Sequence, residues 1–232
     1  MDTVASALSP QPGTTAPADS RNVPQAKPLL RGWLHLAWFA ASLAGGTLAL
    51  SRMHGGLRIT AVAIFEISVT AMFGVSALYH RGDWAATWRH RLQRLDHAMI
   101  FLLIAGTATA AFLLTTGGAF RIACLIAIWT LTLTAGAIHM VWMDAPELLV
   151  GSTFVGLGLV GGMALPAVWL HAGAAAGALL LAGGLLYIAG AISYRRRRPD
   201  PYPSVFGYHE VFHVYVCAAA TCQFIAIAVF IA

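Results

Sequence analysis

Charge is scarce in this chain. Of its 232 residues, 10% are Asp, Glu, Lys or Arg, while 59% are hydrophobic. A soluble domain of this size needs far more charge on its surface, so that class is excluded. Cysteine is scarce too. Cys124, Cys217 and Cys222 all fall in apolar runs and form no C-x-x-C pair. This excludes a disulfide framework and fits packed, reduced thiols. The formal net charge of +5 does not point to nucleic acid, because the arginines sit at the ends of apolar segments, where membrane topology puts them. A basic stretch leading into an apolar core is missing from the first residues, so they do not read as a signal peptide. Residues 1–27 are instead rich in Pro, Ala, Ser and Thr without periodicity. They are expected to form a disordered cytoplasmic tail ahead of a membrane domain over 28–232.

What remains is long apolar runs. Seven of them, roughly 32–52, 58–80, 96–116, 120–143, 147–165, 167–193 and 207–231, are long enough to cross a bilayer as helices. The breaks carry turn chemistry: HGG at 54–56, TTGG at 115–118, DAP at 144–146 and PDPYP at 199–203. The predicted fold is an all-α integral membrane protein, a seven-transmembrane helix bundle. With the N-terminus cytoplasmic, eleven of the fourteen basic residues fall inside and only Arg52, Arg58 and Arg121 outside. That asymmetry predicts N-terminus cytoplasmic and C-terminus outside. Gly158-x-x-x-Gly162 offers a close helix contact, with ordinary bundle packing the preferred reading.

Ionisable groups inside a membrane are functional candidates by default. His209-Glu210-Val211-Phe212-His213 fits the H-E-x-x-H zinc motif, in which two histidines one turn apart share a metal. In the predicted topology His80 ends span two, Asp96 begins span three, and His209 and His213 begin span seven. All lie near the cytoplasmic face. Ser76 lies one turn before His80, on the same helical face. Three imidazoles from His80, His209 and His213 plus a water would satisfy zinc, with Asp96 taking the water's proton and Ser76 donating to an oxyanion. Taken singly, His80 reads as an interfacial histidine, Asp96 as a helix cap or first-turn acid, and Ser76 as a packing residue. Spacing also leaves His35, His90, His97 and His139 open as ligands, whereas His54 and His171 fall at the far end. Glu66, fourteen residues before His80, returns to nearly the same face and is expected either to line the same cavity or to be a protonated or hydrogen-bonded packing residue.

These residues sit in stretches that resemble a known family: RGWLH at 31–35, SALYHRGDW at 76–84, LDHAMIFLLIAGT at 95–107, GLLYIAGAISY at 184–194 and PDPYPSVFGYHEVFH at 199–213. They are similar to bacterial hemolysin III-type proteins, a branch of the progestin and adipoQ receptor (PAQR) family, in a wider superfamily with alkaline ceramidases. The resemblance covers most of the chain from Arg31 onward. It implies a seven-helix bundle in the bacterial inner membrane, with a zinc held by His80, His209 and His213 and its water contacted by Asp96 and Ser76. It also implies membrane lipids as partners, in lipid homeostasis or under a cytolytic label. Three positions depart from the family pattern. Ala105–Ala110 reads AGTATA where AGTYTP is frequent, Gln223 stands where histidine is common, and Leu36 follows His35 where glutamate is frequent.

Three functions compete at this stage. The first is a zinc-dependent hydrolase of lipid amide or ester bonds. The second is an intramembrane metalloprotease with Glu210 as base; it lacks a later helix to supply a third ligand. The third is a non-enzymatic structural-zinc, receptor-like or cytolytic protein.

Overall fold

The computed structural model describes residues 27–142 and 145–232. The predicted tail, apart from Lys27, lies outside them. Helices α1 (Trp33–Arg52), α2 (Gly56–Arg81), α3 (Ala86–Thr115), α4 (Gly118–Val141), α5 (Glu147–Gly162), α6 (Leu165–Arg196) and α7 (Tyr208–Ile225) follow one another. A π-helical turn over Ala226–Ile231 ends the chain. Apolar runs without water must satisfy their backbone groups internally, which selects helices. Six helices, counting α7 with its π turn as one, are long and apolar enough to cross a membrane. The exception is α5: its 16 residues span about 24 Å, short of a ~30 Å hydrocarbon core.

The boundaries follow local chemistry. Gly32 with φ 80 starts α1, and Pro166 sits in the first turn of α6. Arg197, in the left-handed region just before Pro199, ends α6. Inside α6, Gly173 adopts φ 90 and ψ 172. The continuous stretch of that helix therefore runs only from 174 to 196, and the predicted single span is broken near its start. A second difference is at α3, which begins at Ala86, ten residues before the apolar run does. The arginine-bearing segment 86–95 extends the helix beyond the apolar stretch instead of forming a loop.

Helix α3 organises the interior. One core joins α1, α2, α3 and α7 around Phe65, Phe73, Leu103 and Val216. The other joins α3 to α4, α5 and α6 around Phe101, Phe112, Ile128 and Val168. Residues 105–111 of α3 are all buried, and their small size lets neighbours close in. A Cβ on Gly106 would collide with Ser68 of α2, and a Cβ on Gly161 of α5 would stand 3.2 Å from Ala108. The AGTATA departure thus falls on the packing strip of the bundle. Gly158 and Gly162 are exposed, and a Cβ on either would meet nothing within 4 Å, so that motif makes no helix contact here.

At one end of the bundle the 197–207 connection is stitched to the start of α1. The Leu29 and Leu30 amides donate to the Ser204 and Val205 carbonyls at 3.1 and 3.0 Å. Arg31 pairs with the Glu210 carboxylate. Glu210 is fully buried, and its second oxygen accepts the Gly207 N–H at 2.8 Å, closing the first turn of α7. Removing one partner of a buried pair strands the other charge, at a cost of about 3–5 kcal/mol; Arg31 keeps some exposure, which lowers that to about 2–4. Arg31→Ala is therefore expected to lower stability by about 2–4 kcal/mol, measured by thermal unfolding in detergent. Arg31→Met combined with Glu210→Gln should recover more than half of the loss. Wild-type stability in Arg31→Ala would show that the pair does not hold α1 to α7.

Candidate metal centre

Two helices deliver the candidate ligands to this same end. His80 lies in the last turn of α2, and His209 and His213 lie in the first two turns of α7. The Nε2 atoms of His80 and His209 are 3.2 Å apart. Ligand atoms of His80, His209 and His213 all lie within 4.8 Å of one another. A tetrahedral zinc with Zn–N bonds of about 2.0–2.1 Å separates its ligands by about 3.3 Å, so the His80–His209 spacing already matches. The buried Nδ1 of His213 has no hydrogen-bond partner. The donor set thus fits zinc: imidazole suits it, and the site is largely shielded, with His80 and His213 buried and His209 half-buried.

Asp96 and Ser76 join this group. Asp96 Oδ2 is 3.6 Å from His80 Nε2, and the Ser76 side chain hydrogen-bonds Asp96. Because α3 starts ten residues earlier than its apolar run, Asp96 is well inside the helix and neither a cap nor a first-turn acid. Its place beside His80 is a tertiary contact. Ser76 is buried one turn before His80.

The remaining histidines separate cleanly. His90 is exposed on the projecting turns of α3, and His54 and His171 are exposed elsewhere. His97 pairs with His139 of α4, Nδ1 to Nε2, at 2.9 Å. His35 is buried and stacks on His213, with ring centroids 3.7 Å apart. Tyr79 and Tyr194 border the cluster, with ring centroids 4.6 Å from His80 and 5.4 Å from His209. Outside the helices, the Lys27 ammonium is held below its ordinary pKa by partial burial, and the nearby Arg81, Arg89 and Arg31 act in the same direction against Asp83. The mouth of the site is therefore electropositive.

Glu66 does not join the cluster. It lines a groove of about 530 Å³ between α1 and α2, together with Phe39, Ser42, Gly46 and Thr70, and none of the clustered histidines lines that groove. The sequence reading also missed what Glu210 does. Its spacing from Gly207 is that of an N-cap and its N3 acid, a signal present in GYHE but overshadowed by the H-E-x-x-H pattern. With one oxygen on Gly207 and the other on Arg31, Glu210 is engaged in holding the helix.

Comparison with known proteins agrees with this architecture. A family model described as Haemolysin-III related matches residues 24–224. A hemolysin-3 homolog of Bacillus subtilis (strain 168) is 28% identical over 171 residues, covering 73% of this chain and 76% of the relative. Hemolysin-3 of Bacillus cereus is 26% identical over 175 residues, covering 73% of this chain and 74% of the relative. A multi-pass membrane protein by its helices, the chain belongs to the Haemolysin-III related family.

Proposed function

We propose that this protein is a zinc-dependent hydrolase of membrane lipid acyl bonds, amide or ester, acting at the cytoplasmic leaflet. The observation that carries the reading is the meeting of His80, His209 and His213 with Asp96 and Ser76 in one buried cluster drawn from three helices. In this reading the three histidines hold the metal. Zinc bound there supplies Lewis acidity toward an acyl carbonyl and acidifies water toward a pKa of about 7. Asp96 accepts the proton released in the attack and returns it to the leaving group, as a positioned general base and acid does. Ser76 holds the Asp96 carboxylate in place through its hydrogen bond and can donate to negative charge developing on the carbonyl oxygen. Tyr79 and Tyr194 cover the sides of the cluster and limit access by water.

The protease reading needs Glu210 free to face a substrate, and its two oxygens are engaged with Gly207 and Arg31. The basic residues support the proposed orientation, since Arg31, Arg81, Arg89, Arg91, Arg94 and Arg195–Arg198 belong to the end that carries the cluster. Reporter fusions at each terminus test this. The expected result is a cytoplasmic N-terminus and a C-terminus on the opposite side; the reverse would move the site to the outer leaflet.

Protein purified without chelators is expected to carry about one zinc per chain by elemental analysis. His80→Ala should lose nearly all of it, and Glu210→Gln should keep it. Zinc retained in full by His80→Ala would remove the three-histidine assignment. With lipid extracts as substrate, the zinc-loaded protein should release free fatty acid. Asp96→Asn should slow release by at least about a hundredfold while keeping the metal. A zinc-replete protein that releases no fatty acid from amide- or ester-linked lipids would leave the structural-zinc alternative standing.

A further inference from the structure

His35 is the residue of the cluster with no assigned work. It is 2% exposed, and neither of its ring nitrogens has a hydrogen-bond partner. A neutral imidazole always carries one N–H and one lone pair. A buried ring with both unmet is an exception that needs a reason, and an absent ligand is one.

The ring is held firmly where it is. It lies against His213 with centroids 3.7 Å apart and planes 13° apart, and against the edge of Phe73 at 5.1 Å. Three residues earlier, Gly32 turns with φ 80, and a Cβ there would stand 2.8 Å from the Cβ of His80. The start of α1 is thus pressed onto the end of α2, with Arg31 anchored on Glu210. Both contacts fix His35 beside the metal ligands.

The stacking decides what His35 can reach. An imidazole binds a metal along its nitrogen lone pair, in the plane of its ring. Two nearly parallel rings 3.7 Å apart share no in-plane point between them. His35 therefore cannot ligate the ion that His213 ligates while the two remain stacked. On a tetrahedral zinc with bonds of about 2.0 Å, a group beside His213 stands up to ~1.9 Å out of the plane of the His213 ring. That is about half of the 3.7 Å between the ring centroids, so a group on the His35 side can come within hydrogen-bond reach of the edge of the His35 ring.

We propose that His35 binds the exogenous ligand of the metal centre. Its ring N–H donates a hydrogen bond to the acyl carbonyl oxygen, or to a small anion, that takes the position left by His80, His209 and His213. This rests on the metal reading above and adds to it a group that selects and orients what enters. The same arrangement, in which a residue next to the ligands sets what the metal site accepts, is how outer partners tune metal centres generally.

The test uses the full-length protein in detergent loaded with cobalt(II), whose visible ligand-field bands report coordination, and azide as the probe ligand. His35→Phe keeps a ring on His213 and removes both nitrogens. The expected result is that this variant takes up cobalt to the wild-type level with unchanged bands before azide is added. Its azide affinity should then fall about tenfold or more, the loss of one hydrogen bond to a charged group. His35→Gln, which restores a donor without the ring, should recover part of that loss. Where Phe is not tolerated, His35→Met fills the space without a nitrogen and carries the same expectation. Wild-type azide affinity in the Phe or Met variant would overturn the proposal. Altered cobalt bands before azide is added would overturn it in another way, by making His35 a metal ligand. Wild-type protein that takes up no cobalt would overturn both this inference and the metal reading on which it rests.

Discussion

One buried carboxylate holds the functional end of this bundle together. Glu210 has lost all contact with solvent, so both of its oxygens must be paired within the protein. One takes the Gly207 amide and the other the Arg31 guanidinium. Helix capping and the N-terminal dipole are worth about 1 kcal/mol each. Stranding a buried ion-pair partner costs about 3–5 kcal/mol. The ion pair is therefore the larger constraint, and it acts between helices. It sets the rotation of α7 so that Glu210 faces the start of α1 while His209 faces His80 of α2. It also brings Gly32 and His35 against the cluster. A contact that involves none of the candidate ligands thus supports the packing around the metal centre.

That dependence explains what could and could not be read from the chain. The apolar runs and the breaks at HGG and TTGG were legible because hydropathy and turn chemistry are local. The shared depth of His80, Asp96, His209 and His213 was legible because an alternating topology converts sequence position into depth. The start of α3 was not. ATWRHRLQRL lies ahead of the apolar run that begins at 96, yet no breaker separates the two, and the helix simply continues out past that run. Asp96 consequently looked like a helix end when it is an interior residue with a tertiary partner. The interruption at Gly173 was equally hidden, because a glycine in an apolar run looks the same whether it is helical or not. Glu210 was misleading for the opposite reason, since its strongest pattern match was to a chemistry its neighbours do not allow.

The polar groups of the interior fall into two sorts. Thr107, Thr109 and Thr115 return their hydroxyls to the carbonyls one turn back, at 2.9, 2.7 and 2.8 Å. Such groups cost little in a membrane because the helix itself satisfies them. Thr109 additionally accepts the Trp129 indole N–H at 3.0 Å, and Thr107 lies 3.1 Å from Gln223, linking α3 to α4 and α7. His35 and Glu66 are of the other sort, being buried with no partner for their side-chain polar atoms. Location separates them. Glu66 faces a groove between α1 and α2 well away from the histidines, whereas His35 is stacked on one of them.

Charge at the site completes the physical account. The Glu210 and Arg31 charges cancel each other, and the clustered imidazoles are neutral when they offer lone pairs to a metal. An ionised Asp96 is then the net charge of the cluster, and it favours a cation among the three nitrogens. A divalent ion there reverses the balance and leaves the centre positive. The surrounding arginines, including Arg89, Arg91 and Arg94 on the projecting turns of α3, extend that positive field to the membrane surface. An anionic group approaching from that side meets a potential that favours negative charge. The clamp at Glu210 thus serves electrostatics as well as geometry: by neutralising the one acid beside the histidines that is not Asp96, it leaves the centre positive once a divalent cation is bound.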